Sequence, residues 1–213
     1  MFGISSAPEK YQQIVSQVVS DCRGSLNIAD DLIVHGINDA EHDANLFAVL
    51  SRLQERGLTL NLEKCYFRLP SIQFYGLQLS ALGVEPTAEK VRAITDAPQP
   101  KTASELRSFL GTVGFNSRFI PDLSTTAEPL RAITQKGAEF RWGKQQEAAF
   151  KKLKQQLAAA SSLAYFDTGA PTEVIADASP VGIGAILIQE QQGVRRAVCY
   201  ASRTLTDVER RYS

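Results

Sequence analysis

The chain has 213 residues, of which 44% are apolar and 22% are charged, so it can bury a core and is not a disordered segment. Lysine plus arginine and aspartate plus glutamate both number 23, and this zero net charge, taken over the whole chain, disfavours a nucleic-acid partner. The three cysteines are far apart, which excludes a CxxC metal site and a disulfide framework and favours reduced thiols in an intracellular protein. No apolar run approaches ~18 residues and no basic region precedes an apolar N-terminal run, so neither a membrane span nor a secretion signal is predicted.

Charge is unevenly distributed along the chain. Residues 1–85 carry 6 basic and 10 acidic side chains, a net charge of −4. Residues 86–160 carry 12 basic and 7 acidic side chains, a net charge of +5. Residues 161–213 carry 5 basic and 6 acidic side chains, a net charge of −1. A basic middle between acidic ends is expected if the middle contacts phosphates and the ends bind metal ions. A solvated helical surface is the alternative that charge alone leaves open.

The first part of the chain has the pattern of two helices with a β-hairpin between them. Residues 6–9 form a capping-box pattern with a proline in the first turn, and apolar residues then repeat at helical spacing as far as Cys22. Two short apolar runs within residues 26–34 flank a pair of turn-forming acids, which predicts a hairpin. A second helix is predicted from Asn38 to the residue before Gly57.

The remainder alternates between extended and helical patterns. Extended segments are predicted at residues 58–62, 66–69 and 72–79. Helices are predicted near residues 87–94, 125–134 and 145–160. A further helix, opened by a capping box at 102–105, is predicted to continue through Val113 until Pro121 closes it. Three further extended runs are predicted at residues 172–176, 184–189 and 195–201. The fold class predicted from this order is α+β.

Asp30 and Asp31 are the first residues whose placement points to chemistry. Adjacent carboxylates at a tight hairpin turn concentrate negative charge and suit divalent metals, as in the two-metal chemistry of phosphoryl transfer. A solvated turn is the ordinary reading of two such acids. Both arms of this hairpin are apolar, however, and charges at the tip of a hairpin that lies on a core cost stability unless they are used.

Residues 1–12 and 27–34 strongly resemble two motifs of the reverse transcriptases of gypsy-type long-terminal-repeat retrotransposons. The resemblance implies that Gly3 and Gln12 border the incoming nucleotide and the template. It also implies that Asp30 and Asp31 are the metal-binding catalytic carboxylates. The family has a tyrosine where this chain has Ile28, a departure that keeps the carboxylates but lacks the usual aromatic contact to the primer.

Two further segments continue the resemblance in the same order. Residues 60–67 are similar to the next motif of the polymerase palm, whose lysine serves as an acid for the leaving pyrophosphate, a role that would belong to Lys64. A surface charge is the ordinary reading of a single lysine after a strand. Phe74, Tyr75 and Gly76 resemble the primer-grip hairpin, which holds the primer terminus.

The basic middle and the C-terminal part complete the resemblance. Residues 106–121 are similar to the thumb of the family, so that Lys101, Arg107 and Arg118 are predicted to contact phosphates without reading sequence. Residues 140–154 match the connector helix. Residues 174–184 resemble the first strands of a linked RNase H domain, in which Asp177 would be the first of four metal-binding acids. Glu209 does not match the second acid and is expected to be a solvated turn residue.

The resemblance implies three domains. Residues 1–85 would be the C-terminal part of a reverse transcriptase palm, residues 86–160 the thumb and connector helices, and residues 161–213 a truncated RNase H-like domain. The complete enzyme would use Mg²⁺ or Mn²⁺, bind an RNA/DNA primer-template and deoxynucleoside triphosphates, and serve transposition. It would act inside the cell, in a cytoplasmic particle or the nucleus.

The isolated chain is expected to be inactive. The third palm carboxylate of the family lies upstream of the Phe-Gly motif, and no aspartate precedes Asp21, which falls in a predicted helix. The fingers and the later RNase H acids are not matched either, and other polypeptide portions would have to supply them. Extension of an annealed primer by residues 1–213 with Mg²⁺ would contradict this expectation.

Two other functions remain open from the sequence. A stand-alone RNase H-like hydrolase would depend on Asp177 and would tolerate Asp30→Asn. A non-catalytic nucleic-acid-binding remnant would bind duplex through its basic middle, in a salt-sensitive way that does not need Mg²⁺.

Overall fold

The computed structural model describes residues 6–212, so the predicted nucleotide-binding residue Gly3 lies outside the described residues. The chain divides into two compact units, Met1–Leu69 and Pro70–Ser213, and each is described by itself. The predicted domain boundaries at residues 85 and 160 stay predictions. Within residues 6–212, no helix has the length and apolar character needed to cross a bilayer.

The first unit consists of two helices with a β-hairpin between them, as predicted. Its elements are α1 (Ala7–Val19), β1 (Ser25–Ile28), β2 (Asp31–Val34) and α2 (Asp39–Glu55), and the two strands pair antiparallel. The Asn38 side chain opens α2 by accepting a hydrogen bond from the backbone N–H of Glu41. A small core of Val19, Val49 and Leu53 joins the helices to the underside of β2.

Three local predictions for this unit were wrong. Ser6 makes no side-chain cap, because its backbone is already helical (φ −86°, ψ −5°) and its hydroxyl is not aimed at the first free N–H groups. Helix α1 ends at Val19, and the Cys22 carbonyl instead accepts a hydrogen bond from the Ser25 hydroxyl. Residues 58–62 and 66–69 form no strands, and Asn61 caps a short 3₁₀ turn at Leu62–Lys64 instead.

The second unit begins with a three-stranded antiparallel sheet followed by four helices. The strands are β3 (Ser71–Phe74), β4 (Leu77–Ser80) and β5 (Gly83–Pro86), in that spatial order. The helices are α3 (Ala88–Thr95), α4 (Ala103–Phe115), α5 (Leu123–Ala132) and α6 (Lys144–Ala158). Thr87 and Thr102 open α3 and α4 by accepting hydrogen bonds from the N–H groups of Lys90 and Glu105.

The core of the second unit lies between these helices. Leu106 of α4, Leu130 of α5 and Leu153 of α6 are completely buried, and Phe109 and Phe150 pack with ring centroids 4.6 Å apart. An apolar stripe on each helix provides these residues, which is why the helical periodicity of the sequence located the elements. The helices thus form one packed layer.

A second three-stranded antiparallel sheet follows the helices. Its strands are β6 (Thr172–Ala178), β7 (Gly182–Gln191) and β8 (Val194–Thr204), with β7 in the centre. One face packs on α5, where the Ser202 hydroxyl accepts a hydrogen bond from the backbone N–H of Ser124. The opposite face carries Val174, Leu187 and Cys199 side by side, and Val174 is 64% exposed. Strand β6 is exposed along its whole length.

Main-chain pairing between Val84 and Leu163 ties strand β5 to the segment that precedes the second sheet. Each residue donates its N–H to the carbonyl of the other, at 2.8 and 2.9 Å. Tyr165 reinforces the pairing, because its hydroxyl donates to the carbonyl of Ser80 at 3.0 Å, and partial burial raises the pKa of this phenol. The Arg196 guanidinium donates to the Leu82 carbonyl from β8.

The helical core predicts a large effect for Leu153→Ala. This side chain has no exposed surface, and truncation of a buried leucine costs about 2–5 kcal/mol. We expect the free energy of unfolding of the second unit to fall by that amount in urea, followed by the fluorescence of Trp142, the one tryptophan of the chain. Leu82→Ala is the matched control, since Leu82 is 70% exposed. Equal destabilisation by both variants would contradict the proposed core.

Candidate functional site

The predicted catalytic acids lie at the turn of the β1–β2 hairpin. Ile28 pairs with Asp31, so that Ala29 and Asp30 form the two-residue turn, and Ala29 has a positive φ of 53°. Both aspartates are exposed. The hairpin prediction is therefore confirmed, and the two adjacent carboxyl groups are free to bind a cation from solvent.

Helix α1 brings the predicted template-binding residue Gln12 to the same turn. Its side-chain oxygen accepts a hydrogen bond from the backbone N–H of Ala29 at 3.4 Å. One turn further along α1, the Ser16 hydroxyl donates to the Asn27 side chain at 3.0 Å. These contacts fix the hairpin on α1, and they place Gln12 beside the residue that precedes Asp30.

The acids fit a divalent metal only in part. Carboxylate oxygens are the ligands that Mg²⁺ prefers, and Asp30 and Asp31 offer them side by side. Within residues 6–212, however, no three or more His, Cys, Asp and Glu side chains come together as a possible metal site. Two-metal catalysis requires ligands from separate elements, so the described residues supply part of such a centre.

Lys64 lies in the same unit, at the end of the 3₁₀ turn Leu62–Lys64, and is exposed. Its backbone N–H donates to the carbonyl of Asn61, while no side chain of the described residues pairs with its ammonium group. The lysine is thus available to a ligand, and its role as an acid stays a prediction.

The predicted primer-grip residues lie at the turn between β3 and β4. Phe74 pairs with Leu77, and the two turn residues, Tyr75 and Gly76, have positive φ angles of 48° and 74°. Two consecutive residues of this kind are what a tight hairpin with right-handed strand twist requires. The turn exposes 63% of Tyr75.

The predicted phosphate-binding residues differ in how far their basic side chains are exposed to solvent. Lys101 is exposed just before α4, where its backbone N–H donates to the Glu105 carboxylate at 2.8 Å. Arg107 is exposed on α4 and makes a long bond of 3.4 Å to the Thr134 carbonyl. Arg118 is half-buried, its Nε is enclosed without a hydrogen-bond partner, and its guanidinium lies 5.9 Å from the Phe119 ring. Lys101 and Arg107 therefore present their charges to solvent, whereas the guanidinium of Arg118 is less accessible to a phosphate.

Asp177 lies near the end of the edge strand β6 and is exposed. Its carboxylate accepts a hydrogen bond from the backbone N–H of Ala178 at 2.9 Å, and it pairs across the sheet with Gly184. Asp122 packs against Gly184 so closely that a Cβ there would collide with its carboxylate. Sequence reasoning missed Asp122, because its left-handed backbone (φ 49°) and its approach to Gly184 are visible only in the folded chain.

Glu209 is paired rather than freely solvated, which corrects the expectation for this residue. Its carboxylate accepts hydrogen bonds from the Arg203 guanidinium at 2.6 and 2.8 Å and from the N–H of Thr206 at 2.8 Å. Bonds from Arg203, and then those from Thr206, lower the pKa of Glu209 to about 2. The turn that ends the described chain is therefore held to β8 by a charged contact.

Comparisons with known proteins show what the chain resembles. Residues 142–213 match the family model of the RNase H-like domain found in reverse transcriptase. Over its full length the chain is 30% identical to segments of the Tf2-3 and Tf2-7 transposon polyproteins of Schizosaccharomyces pombe. The chain spans 16% of the length of each polyprotein.

Solved structures show the same fold. A foamy viral protease-reverse transcriptase in complex with double-stranded DNA is similar with a TM-score of 0.85 and 25% identity, covering 98% of this chain and 44% of that one. The dRH form of that protein, also with double-stranded DNA, has a TM-score of 0.84 and 25% identity over 95% of this chain and 36% of its own. The complex with an RNA/DNA hybrid has a TM-score of 0.83 at 24% identity, a likeness of fold, over 99% of this chain and 29% of that chain.

The Glu209 contact predicts a pH-dependent effect of Glu209→Gln. Because the pKa of Glu209 is lowered from 4.5 to about 2 in the folded chain, the ionised carboxylate contributes stability above pH 4.5, and that contribution is lost as the pH falls towards 2. We expect the variant to unfold at a lower temperature than the parent at neutral pH, and the gap to close on acidification. Glu190→Gln is the charge-matched control. A difference in melting temperature between Glu209→Gln and the parent that does not change with pH would contradict the pairing of Glu209 with Arg203.

Proposed function

Because this chain belongs to the reverse transcriptase family of retrotransposon polyproteins, we propose that it is the palm, thumb and RNase H-like part of an RNA-directed DNA polymerase. The observation that carries the proposal is the pair of adjacent acids at the turn of a hairpin seated on a core, with Gln12 hydrogen-bonded to the same turn. In a complete enzyme this pair would hold the metal ions of nucleotidyl transfer.

The chemistry assigned to the first unit is metal binding at the reacting phosphates. Mg²⁺, or Mn²⁺ in its place, would align the triphosphate and the primer hydroxyl and stabilise the charge that develops between them. Asp30 and Asp31 would hold the ion, and Gln12 would fix the turn that carries them. Since no third acid joins the pair within residues 6–212, we propose that the isolated chain makes no DNA.

The partner assigned to the second unit is a primer-template duplex. Tyr75 and Gly76 would face the primer end, and Lys101 and Arg107 would contact phosphates, which position a duplex without reading its sequence. Two foamy viral protease-reverse transcriptase structures that are 25% identical to this chain hold double-stranded DNA, which supports a duplex ligand. Deoxynucleoside triphosphates would be the second substrate of the complete enzyme.

A second activity is proposed for the C-terminal part, where the RNase H-like domain match covers residues 142–213. Asp177 would be one of the acids that bind metal for hydrolysis of the RNA strand of a hybrid. It is exposed at the end of β6 and accepts one backbone hydrogen bond, so further acids would have to come from outside the described residues. In a longer polypeptide that supplies those acids, hybrid cleavage lost on Asp177→Asn and retained on Asp30→Asn would assign hydrolysis to this unit.

Duplex binding by the second unit is expected to depend on salt. The logarithm of the association constant for a DNA duplex should fall linearly with the logarithm of the salt concentration, and Lys101→Ala and Arg107→Ala should each reduce the slope by about 1. Fluorescence anisotropy with a labelled duplex measures both quantities. Lys144→Ala is the matched control, an exposed lysine in the first turn of α6. Absence of binding by the parent chain would contradict the proposed function.

Metal binding is expected at the hairpin turn. Added Mn²⁺ should broaden the amide NMR signals of Ala29, Asp30 and Asp31 at millimolar concentration, because two adjacent carboxylates bind a divalent ion weakly. Asp30→Asn and Asp31→Asn should each remove most of the broadening. Asp39→Asn makes the same charge change elsewhere in the first unit and should leave it intact. Broadening that survives both turn variants would assign the metal to another place.

A further inference from the structure

Lys90 is the centre of a cluster that joins three elements of the second unit. Its ammonium lies over the Phe115 ring, 3.2 Å from the centroid, at the end of α4. The same ammonium packs against Gly76 in the β3–β4 turn, so closely that a Cβ on Gly76 would collide with it and would lie 3.4 Å from the Phe115 ring. One side chain of α3 thereby contacts both the turn and α4.

The position of Lys90 is fixed by its neighbours. The Thr87 side chain, which is 4% exposed, accepts a hydrogen bond from the backbone N–H of Lys90. Val91 packs against the helical core, and Ile94 is 1% exposed within it. The first turn of α3 is therefore anchored, and the lysine side chain starts from a rigid point of the backbone.

The charge of Lys90 has no anionic partner among residues 6–212, since no carboxylate of that part of the chain lies within ion-pair distance of it. A cation in the first turn of a helix also faces the unfavourable end of the helix dipole. A half-buried ammonium with a ring on one side and a glycine on the other keeps donors free for an external acceptor. An anion at this point would satisfy both the charge and the free donors.

We propose that Lys90 binds a backbone phosphate of the nucleic acid at the β3–β4 turn. The inference rests on the proposed function and adds a binding residue to it. The surroundings favour a nucleic-acid strand as the source of the phosphate, because two exposed aromatic side chains can lie against sugars and bases. Phe115, whose ring lies under the ammonium, is 49% exposed, and Tyr75, which precedes Gly76 in the turn, is 63% exposed. Lys90 would therefore fix the strand relative to both the turn and α4.

The proposal is tested by removing the charge of Lys90 from the protein and the charge of single phosphates from the duplex, separately and together. The full chain is titrated with short DNA duplexes in which single phosphates are replaced by neutral methylphosphonates. Replacing one particular phosphate should lower the duplex affinity of the parent and of Lys90→Arg, and it should leave the affinity of Lys90→Met unchanged. The ratio of parent to Lys90→Met affinities should also fall about 3.5-fold between about 50 and 200 mM salt, the change expected for one phosphate contact.

Controls separate a binding role from a structural one. Lys144→Met, the same charge change in the first turn of another helix, should show the parental response to every neutral phosphate. A lower melting temperature for Lys90→Met with parental sensitivity at every phosphate would overturn the proposal and leave Lys90 as a packing residue. A parent chain that binds no duplex would instead overturn the proposed function, and this inference would fall with it.

Discussion

The main-chain pairing of Val84 with Leu163 is the contact on which the second unit depends. It joins residues almost 80 positions apart in the sequence and closes a loop that contains all four helices. Because closing so long a loop costs conformational entropy, the pairing requires the apolar core that the helices bury between the two ends. Tyr165 and Arg196 add side-chain hydrogen bonds to carbonyl groups where β4 leads into β5. The first sheet, which carries the Tyr75–Gly76 turn, is thereby held to the segment that leads into the RNase H-like sheet.

Local signals in the sequence were sufficient for most elements of the fold. Asn38, Thr87 and Thr102 cap the helices that follow them, because a short polar side chain can satisfy a free N–H group without help from distant residues. The same pattern failed at Ser6, where the backbone is helical and the hydroxyl cannot act as a cap. The extended segments at residues 58–62 and 66–69 failed for another reason, since a strand needs a partner and neither segment has one within residues 6–212.

The candidate site was predictable only where neighbours in sequence are neighbours in space. The acids at the β1–β2 turn and the Tyr75–Gly76 turn are of this kind. Long-range contacts gave no sequence signal, and they include the approach of Lys90 to Gly76 and of Asp122 to Gly184. Glu209 was expected to be solvated because it does not match the second acid of the family, and nothing in the sequence shows its pairing with Arg203 of β8. Charge counts by region cannot show such pairs, and the structure of the folded chain is needed for them.

The edge strand β6 has a practical consequence for work with this polypeptide. Its outer N–H and C=O groups have no strand beside them in the described part of the chain, and Val174 and Ile175 on its two faces are 64% and 45% exposed. A free edge with apolar side chains recruits strands from other molecules. Self-association of concentrated preparations through this edge is therefore expected, and Ile175→Lys should oppose it by placing a charge on the free strand.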